Sequence, residues 1–177
     1  MKAFVTVLLS VVASVFFSGC ATTYTTTSQR EVPERWSFSF DSRQWQVGYQ
    51  VANGQEAIRE YVLSGQTVQN WSELVTSQYF ARDIAPRVLF EQFRRNISHG
   101  CPSLRVAIIE ESYDTIIFEW QRDGCQGFPA QHEIRRIARG RTGTLTLSFV
   151  EKTRQLTAEK RSTWISIIKG ATVRPDA

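Results

Sequence analysis

Histidine is nearly missing from this chain: among 177 residues there are two, His99 and His132. That leaves little room for acid–base or metal chemistry built on imidazole. Cysteine is limited to Cys20, Cys101 and Cys125, none of them in a C-x-x-C pair, and no His-x-x-x-His accompanies them. Paired-ligand zinc motifs are thereby excluded. The G-x-S-x-G elbow of serine nucleophiles is absent, and the short runs GRTG and GCQG match neither nucleotide-binding glycine pattern. Internal repeats are lacking too. The longest charge-free apolar run, Ala3 to Phe17, is broken by Thr6, Ser10 and Ser14. It is shorter than the roughly 20 residues that a membrane-spanning helix needs.

What remains is ordinary globular material. With 42% hydrophobic and 12% aromatic residues the chain can bury one sizeable core. Its formal net charge of +4 is moderate, short of the concentrated basicity of a dedicated nucleic-acid binder. Nucleic acid is therefore not an expected partner.

The amino terminus is the most informative stretch. Lys2 supplies a short positive region, the apolar run follows, and small residues arrive at Ser18 and Gly19 just before Cys20. This is the layout of a secretory signal. The order Phe17, Ser18, Gly19, Cys20 resembles the type II signal peptides of bacterial lipoproteins, in which an apolar residue and two small ones precede an invariant cysteine. The resemblance covers only the first 20 or so residues. It implies a signal peptide over 1–19 and a mature chain from Cys20 to Ala177, tri-acylated or di-acylated at Cys20, whose thiol carries a diacylglyceryl thioether. Two or more acyl chains give firm anchoring, since each buried methylene contributes about 0.8 kcal/mol and one chain alone is marginal. Ala21, where the family's inner-membrane retention signal places Asp, implies the periplasmic face of the outer membrane.

If Cys20 carries lipid, Cys101 and Cys125 remain as a pair in an oxidising compartment. Their contexts, SHGCPS and RDGCQGFP, are turn-like and flank a stretch that reads as two strands. A disulfide stapling the ends of that hairpin is the expected reading, ahead of a metal site or a reactive thiol.

Beyond Cys20, residues 20–34 are Thr-rich and read as a tether, and 35–177 as a single domain. Trp36, Phe38 and Phe40 alternate with polar residues, as do Trp45, Val47, Tyr49 and Val51, which predicts two strands. Asn53-Gly54 predicts a two-residue hairpin turn. That turn places Ala52 opposite Gln55, Tyr49 opposite Ile58 and Trp45 opposite Val62. Asn70-Trp71-Ser72-Glu73 matches a capping box and predicts a helix starting at Trp71. Past Pro86, the residues Leu89, Phe90, Phe93 and Ile97 form a helical stripe, with Glu91 placed to pair with Arg95 and Gly100 as a stop. Strands are expected over 104–111, 115–121, 132–139 and 142–151, and a last helix over 157–169 with Arg161, Trp164, Ile165 and Ile168 at helical spacing. Hairpins with helices between them argue an α+β domain, an antiparallel sheet with two helical segments packed on it. This element order is similar to that of small α/β/α sandwiches of the PsbP/Mog1 type, an analogy of fold that carries no activity.

Candidate chemistry is thin. His132-Glu133 opens like a zinc-protease helix but lacks the second His, and His99 suits a helix C-terminus. The carboxylates Glu110, Glu111, Glu119, Asp123 and Glu133 gather in one strand group, where a pair could flank a glycosidic bond. The most distinctive charged run is HEIRRIARGRTG. Its Arg135, Arg136, Arg139 and Arg141 could bind anionic headgroups or polymers. The competing reading, favoured here, is a solvated hairpin whose arginines pair with nearby Glu. The function expected is non-catalytic: an envelope lipoprotein that binds or scaffolds, with no cofactor or metal, and with the membrane, through the lipid on Cys20, and an envelope protein or anionic polymer as its partners. The alternative is a hydrolase working through those strand carboxylates.

Overall fold

Period-2 alternation runs through most of the domain, and the backbone follows it. The computed structural model describes residues 32–98, 101–125 and 127–175. In chain order the elements are β1 (Glu34–Ser37), β2 (Trp45–Ala52), β3 (Glu56–Leu63), β4 (Glu73–Phe80), α1 (Pro86–Ser98), β5 (Arg105–Glu111), β6 (Thr115–Arg122), β7 (Gln131–Arg139), β8 (Thr144–Glu151), α2 (Ala158–Gly170) and β9 (Thr172–Pro175). Seven strands form one sheet in the order β2-β3-β4-β8-β7-β6-β5, with every neighbouring pair antiparallel. Strands β1 and β9 pair separately as a two-stranded ribbon. The fold is α+β, as the element order implies.

Each face of the sheet has its own cover. On β8, Leu145, Leu147 and Phe149 point to one side, where they meet Val75, Tyr79, Ile117 and Ile134, together with Trp164 and Ile168 of α2 and Trp36 of β1. Trp164 stacks on Phe149 at 4.1 Å and meets Trp45 edge-on at 5.6 Å. Such pairs add about 0.5–1.5 kcal/mol beyond the area they bury. On the opposite face, the α1 residues Leu89, Phe90, Phe93 and Ile97 pack on Ile116, Phe118, Trp120 and Ile137. The stripe read from the sequence is therefore the stripe that packs on the sheet, with Phe90 buried and the other three partly so.

Several local expectations are corrected. No helix starts at Trp71, because residues 73–80 are strand β4, in the middle of the sheet with neighbours on both sides. Asn70 instead bridges back to Thr67 across a tight turn. The β2–β3 turn is shifted by one residue: Asn53 N–H donates to the Glu56 carbonyl, leaving Gly54 and Gln55 as the central pair. Gly54 has φ 83°, the positive value that the first central position of a type II′ turn requires. Register changes accordingly, to Ala52 opposite Ala57, Tyr49 opposite Glu60 and Trp45 opposite Leu63. A bulge between Val47 and Tyr49 adds one residue, Gly48, so Trp45 and Tyr49 face opposite sides of the sheet. A side chain at Gly48 would press on Val68 and Val62, at 3.0 and 3.1 Å.

Strand β1 stops at Ser37, before Phe38 and Phe40. Those rings join a local cluster with Tyr61, Phe40 at 5.0 Å and Phe38 at 6.0 Å. Glu91 pairs with Arg87 and Arg94, not with Arg95. The expected stop at Gly100 and the cap at His99 lie outside the described residues, as do Cys20 and the whole signal segment.

Thr157 caps α2, its hydroxyl accepting from Lys160 N–H at 3.2 Å. The Cys101–Cys125 disulfide joins the start of β5 to the end of β6 with a Cα–Cα distance of 5.9 Å, stapling the hairpin as expected.

Candidate functional site

Strand pleating distributes the four arginines of the basic run. Arg135 and Arg139 fall on the α1 side of β7, and Arg136 falls on the α2 side. Arg135 lies over the Phe93 ring at 4.3 Å and pairs with Glu133 at 2.5 Å. Arg136 is half-buried against Trp36, and its Nη1 donates to the carbonyls of Ile168, Lys169 and Ala171 at 3.1, 3.1 and 2.9 Å. Those are carbonyls at the C-terminal end of α2, so this guanidinium caps a helix. Arg139 reaches Asp83 at 2.6 Å and Asp114 at 3.7 Å, with its guanidinium over Tyr113.

Arg141 sits in the β7–β8 turn and is 76% exposed, its Nε 3.6 Å from Glu34. The structure brings Arg139 and Arg141 together and keeps Arg135 and Arg136 apart from them. Arg139 and Arg141 line one cleft of about 330 Å³ with Glu34, Asp114, Gly140, Val173 and Pro175.

Glu34 anchors this cleft. It is 2% exposed, yet its carboxylate accepts from the backbone N–H groups of Arg141 and Thr142 at 3.0 and 2.9 Å and from the Thr142 hydroxyl at 2.7 Å. Burial alone would raise its pKa. The donors of Thr142 and Arg141 outweigh burial and hold the carboxyl below its usual range. Gly140 lies against this carboxylate, with no space for a side chain between them. The first described part of the chain is thus bolted to a turn more than 100 residues later.

A second polar network joins α2 to the sheet. Glu73 accepts both Nη groups of Arg43 at 2.7 Å and Lys160 at 3.0 Å; Lys160 also reaches Glu151 at 2.7 Å. Burial opposes the charge on Glu73, and Arg43 and Lys160 overcome it, so its pKa is lowered. Glu119 receives Arg161 bidentately at 2.7 and 2.9 Å and lies 3.2 Å from His132 Nε2.

The five strand carboxylates singled out in the sequence are each engaged by a cation. Glu110 meets Lys169, Glu111 meets Arg87, Asp123 meets Arg154, Glu133 meets Arg135, and Glu119 has Arg161. Burial on β3 pushes up the pKa of a different carboxylate, Glu60. Among the described residues, no group of three or more His, Cys, Asp or Glu side chains is arranged to hold a metal ion.

Sequence reasoning missed Glu34 and Glu73, two buried acids of these networks. Glu73 was legible only as a helix cap. Glu34 carried the weaker signal of an acidic residue immediately before an aromatic strand. No protein-family model matches the chain, and no curated protein matches it.

Proposed function

We propose that this protein is a membrane-anchored envelope lipoprotein with a non-catalytic binding or scaffolding role, held at the periplasmic face of the outer membrane by lipid on Cys20. The observation that carries the non-catalytic half is the engagement of the candidate groups. His132, Glu119, Arg136 and Arg139 are tied into hydrogen bonds or ion pairs that join separate parts of the fold, and Glu133 and Arg135 pair with each other along β7. A general acid or nucleophile needs a group held in reach of substrate with its pKa tuned to the task. The anchoring half is supported by the order Phe17, Ser18, Gly19, Cys20 and by the disulfide that accounts for the other two cysteines. No helix among the described residues is long and apolar enough to cross a membrane. The finer fold analogy, to α/β/α sandwiches of the PsbP/Mog1 type, is supported by one helix on each face of the antiparallel sheet and brings no activity with it.

Metabolic labelling with radioactive palmitate tests the anchor. Label is expected on the native chain and absent from Cys20→Ser; label that persists on the variant overturns the reading. Crosslinking in intact envelopes followed by purification of the chain identifies the partner.

A further inference from the structure

Strand register runs one row of side chains across the sheet on its α1 side. Tyr49 of β2 stands opposite Glu60 of β3, Glu60 opposite Thr76 of β4, Thr76 opposite Ser148 of β8, and Ser148 opposite Arg135 of β7. Helix α1 packs on β6 and β7, at the far end of this row. Residues 64–72 shelter another part, where Val68 and Trp71 pack on Val62, Leu74 and Val150. Between these covers lies the face around Glu60. There Tyr49 and Val51 are 44% and 42% exposed, and Ile58 is half-buried.

Glu60 is itself half-buried, and among the described residues it has no hydrogen-bond or ion-pair partner. On this side of β2, β3, β4 and β8 there is no Lys or Arg, and the charged side chains are Glu56 and Glu60. Each described cation nearby is occupied or turned elsewhere. Arg135 is three strand spacings from Glu60, about 14 Å, and pairs with Glu133. Arg59 points to the opposite face and donates to Gln50, Lys152 lies over Trp71, and Arg82 follows the other end of β4. Of α1, Arg87 and Arg94 pair with Glu91, and Arg95 lies on the side away from the buried stripe. Burial raises the pKa of Glu60, and no charged neighbour offsets it.

We infer that this face docks an envelope protein that brings a lysine to Glu60, its ammonium meeting the carboxylate and the Thr76 hydroxyl while apolar side chains beside it meet Tyr49, Val51 and Ile58. This inference deepens the binding reading above and rests on it. Charge complementarity selects the occupant. A carboxylate that its own fold has already part-desolvated gains more from an opposite charge than one in open water. An ammonium is a compact charge with three donors, which suits a single carboxylate flanked by a hydroxyl and a ring face. A central polar anchor with an apolar surround is also how binding energy concentrates at protein interfaces. An anionic polymer would meet two carboxylates here and be repelled.

The test treats isolated envelopes carrying the full chain with a water-soluble carbodiimide, which joins a carboxylate to a touching lysine amine as an amide. Linked peptides are read by mass spectrometry, with Glu151 and Lys160, 2.7 Å apart, as the internal control for reagent access. Formaldehyde crosslinking in parallel recovers the partner by a chemistry that does not need Glu60. A link from Glu60 to a lysine of an envelope protein is expected. Recovery of that protein with formaldehyde should fall at least about tenfold in Glu60→Gln, as truncation of a desolvated charge pair does. Glu56→Gln, at the exposed rim, should leave recovery nearly unchanged. The Glu60→Gln protein should unfold at a urea concentration no lower than the native chain, since it exchanges an unpaired part-buried charge for a neutral group.

Equal recovery from the native chain and Glu60→Gln overturns the docking surface and leaves the binding reading standing. So does a partner recovered with no link at Glu60 while Glu151 links to Lys160. A link from Glu60 to a second copy of this chain replaces the envelope protein with self-association and overturns the proposal. A lowered urea midpoint of Glu60→Gln would reveal a structural partner for the carboxylate and overturn it too. If neither reagent recovers any envelope protein, the docking surface and the protein-binding reading fall together.

Discussion

His132 Nδ1 accepts the backbone N–H of Leu156 at 3.0 Å, which fixes the ring's single proton on Nε2, facing Glu119. Charging the ring would add a proton to Nδ1 and break that bond. Burial lowers the pKa of His132 from its ordinary 6.5, against the opposing pull of Glu119. The unfolded chain therefore binds this proton more readily than the folded one, and the stabilisation held above pH 6.5 is lost as pH falls from there toward the folded value. Urea unfolding from pH 7.5 to 5.5 should show stability falling with acid, and His132→Gln should flatten that slope. Nitrogen NMR of the ring should find the neutral Nε2–H tautomer predominant at pH 6.5, the ordinary pKa of the side chain; a mainly protonated ring there would refute the assignment.

Arg136 offers a test of whether the basic run is architecture. Removing its side chain strips a donor from three carbonyls at the end of α2, so Arg136→Ala is expected to cost about 2–3 kcal/mol in urea unfolding. Arg136→Lys should recover only part of this, since an ammonium lacks the planar fork and the stacking on Trp36. An Arg136→Ala protein of native stability would return this residue to the pool of free surface charge.

Glu34→Gln keeps the shape of the cap and removes its charge. Because the folded pKa of Glu34 lies below its usual 4.5, its contribution is present above that value and lost as pH falls through the folded one. The variant should lose about 1–3 kcal/mol at pH 7 and differ less from the native protein at pH 3. Hydrogen exchange at Arg141 and Thr142 is the local readout, and both amides should exchange faster in the variant.

The Cys101–Cys125 staple closes a loop with a sequence separation of 24. In the chain-entropy model that constraint is worth about 3.5 kcal/mol. Reduction, or Cys101→Ser with Cys125→Ser, should lower the urea midpoint accordingly. An unchanged midpoint would mean that the β5–β6 hairpin is held fully by α1 packing.

The second half of the domain was legible because its alternation is clean. Leu145, Leu147 and Phe149, or Ile116, Phe118 and Trp120, can face only one way at a time. The pleat of β7 was legible by the same rule: period 2 separates Arg136 from Arg135 and Arg139 before any coordinates are seen. Strand β4 was not, since its apolar residues fall in adjacent pairs, Leu74-Val75 and Tyr79-Phe80, and do not alternate. There a local capping pattern outweighed a pairing made with distant strands. The β2–β3 register needed the turn type and the Gly48 bulge, each a matter of one residue. The Glu34 cap joins residues 107 and 108 apart, and nothing local announces such a pairing.

The two bulged strands are also the two outermost strands: β2 with Gly48, and β5 with its irregularity between Ile108 and Glu110. A bulge interrupts the row of free backbone donors and acceptors and bends it out of line. Neither margin therefore offers a straight template to an incoming chain. With Val47, Tyr49, Val51 and Ile108 exposed along these margins, that irregularity keeps apolar rims from zipping neighbouring copies into fibrils.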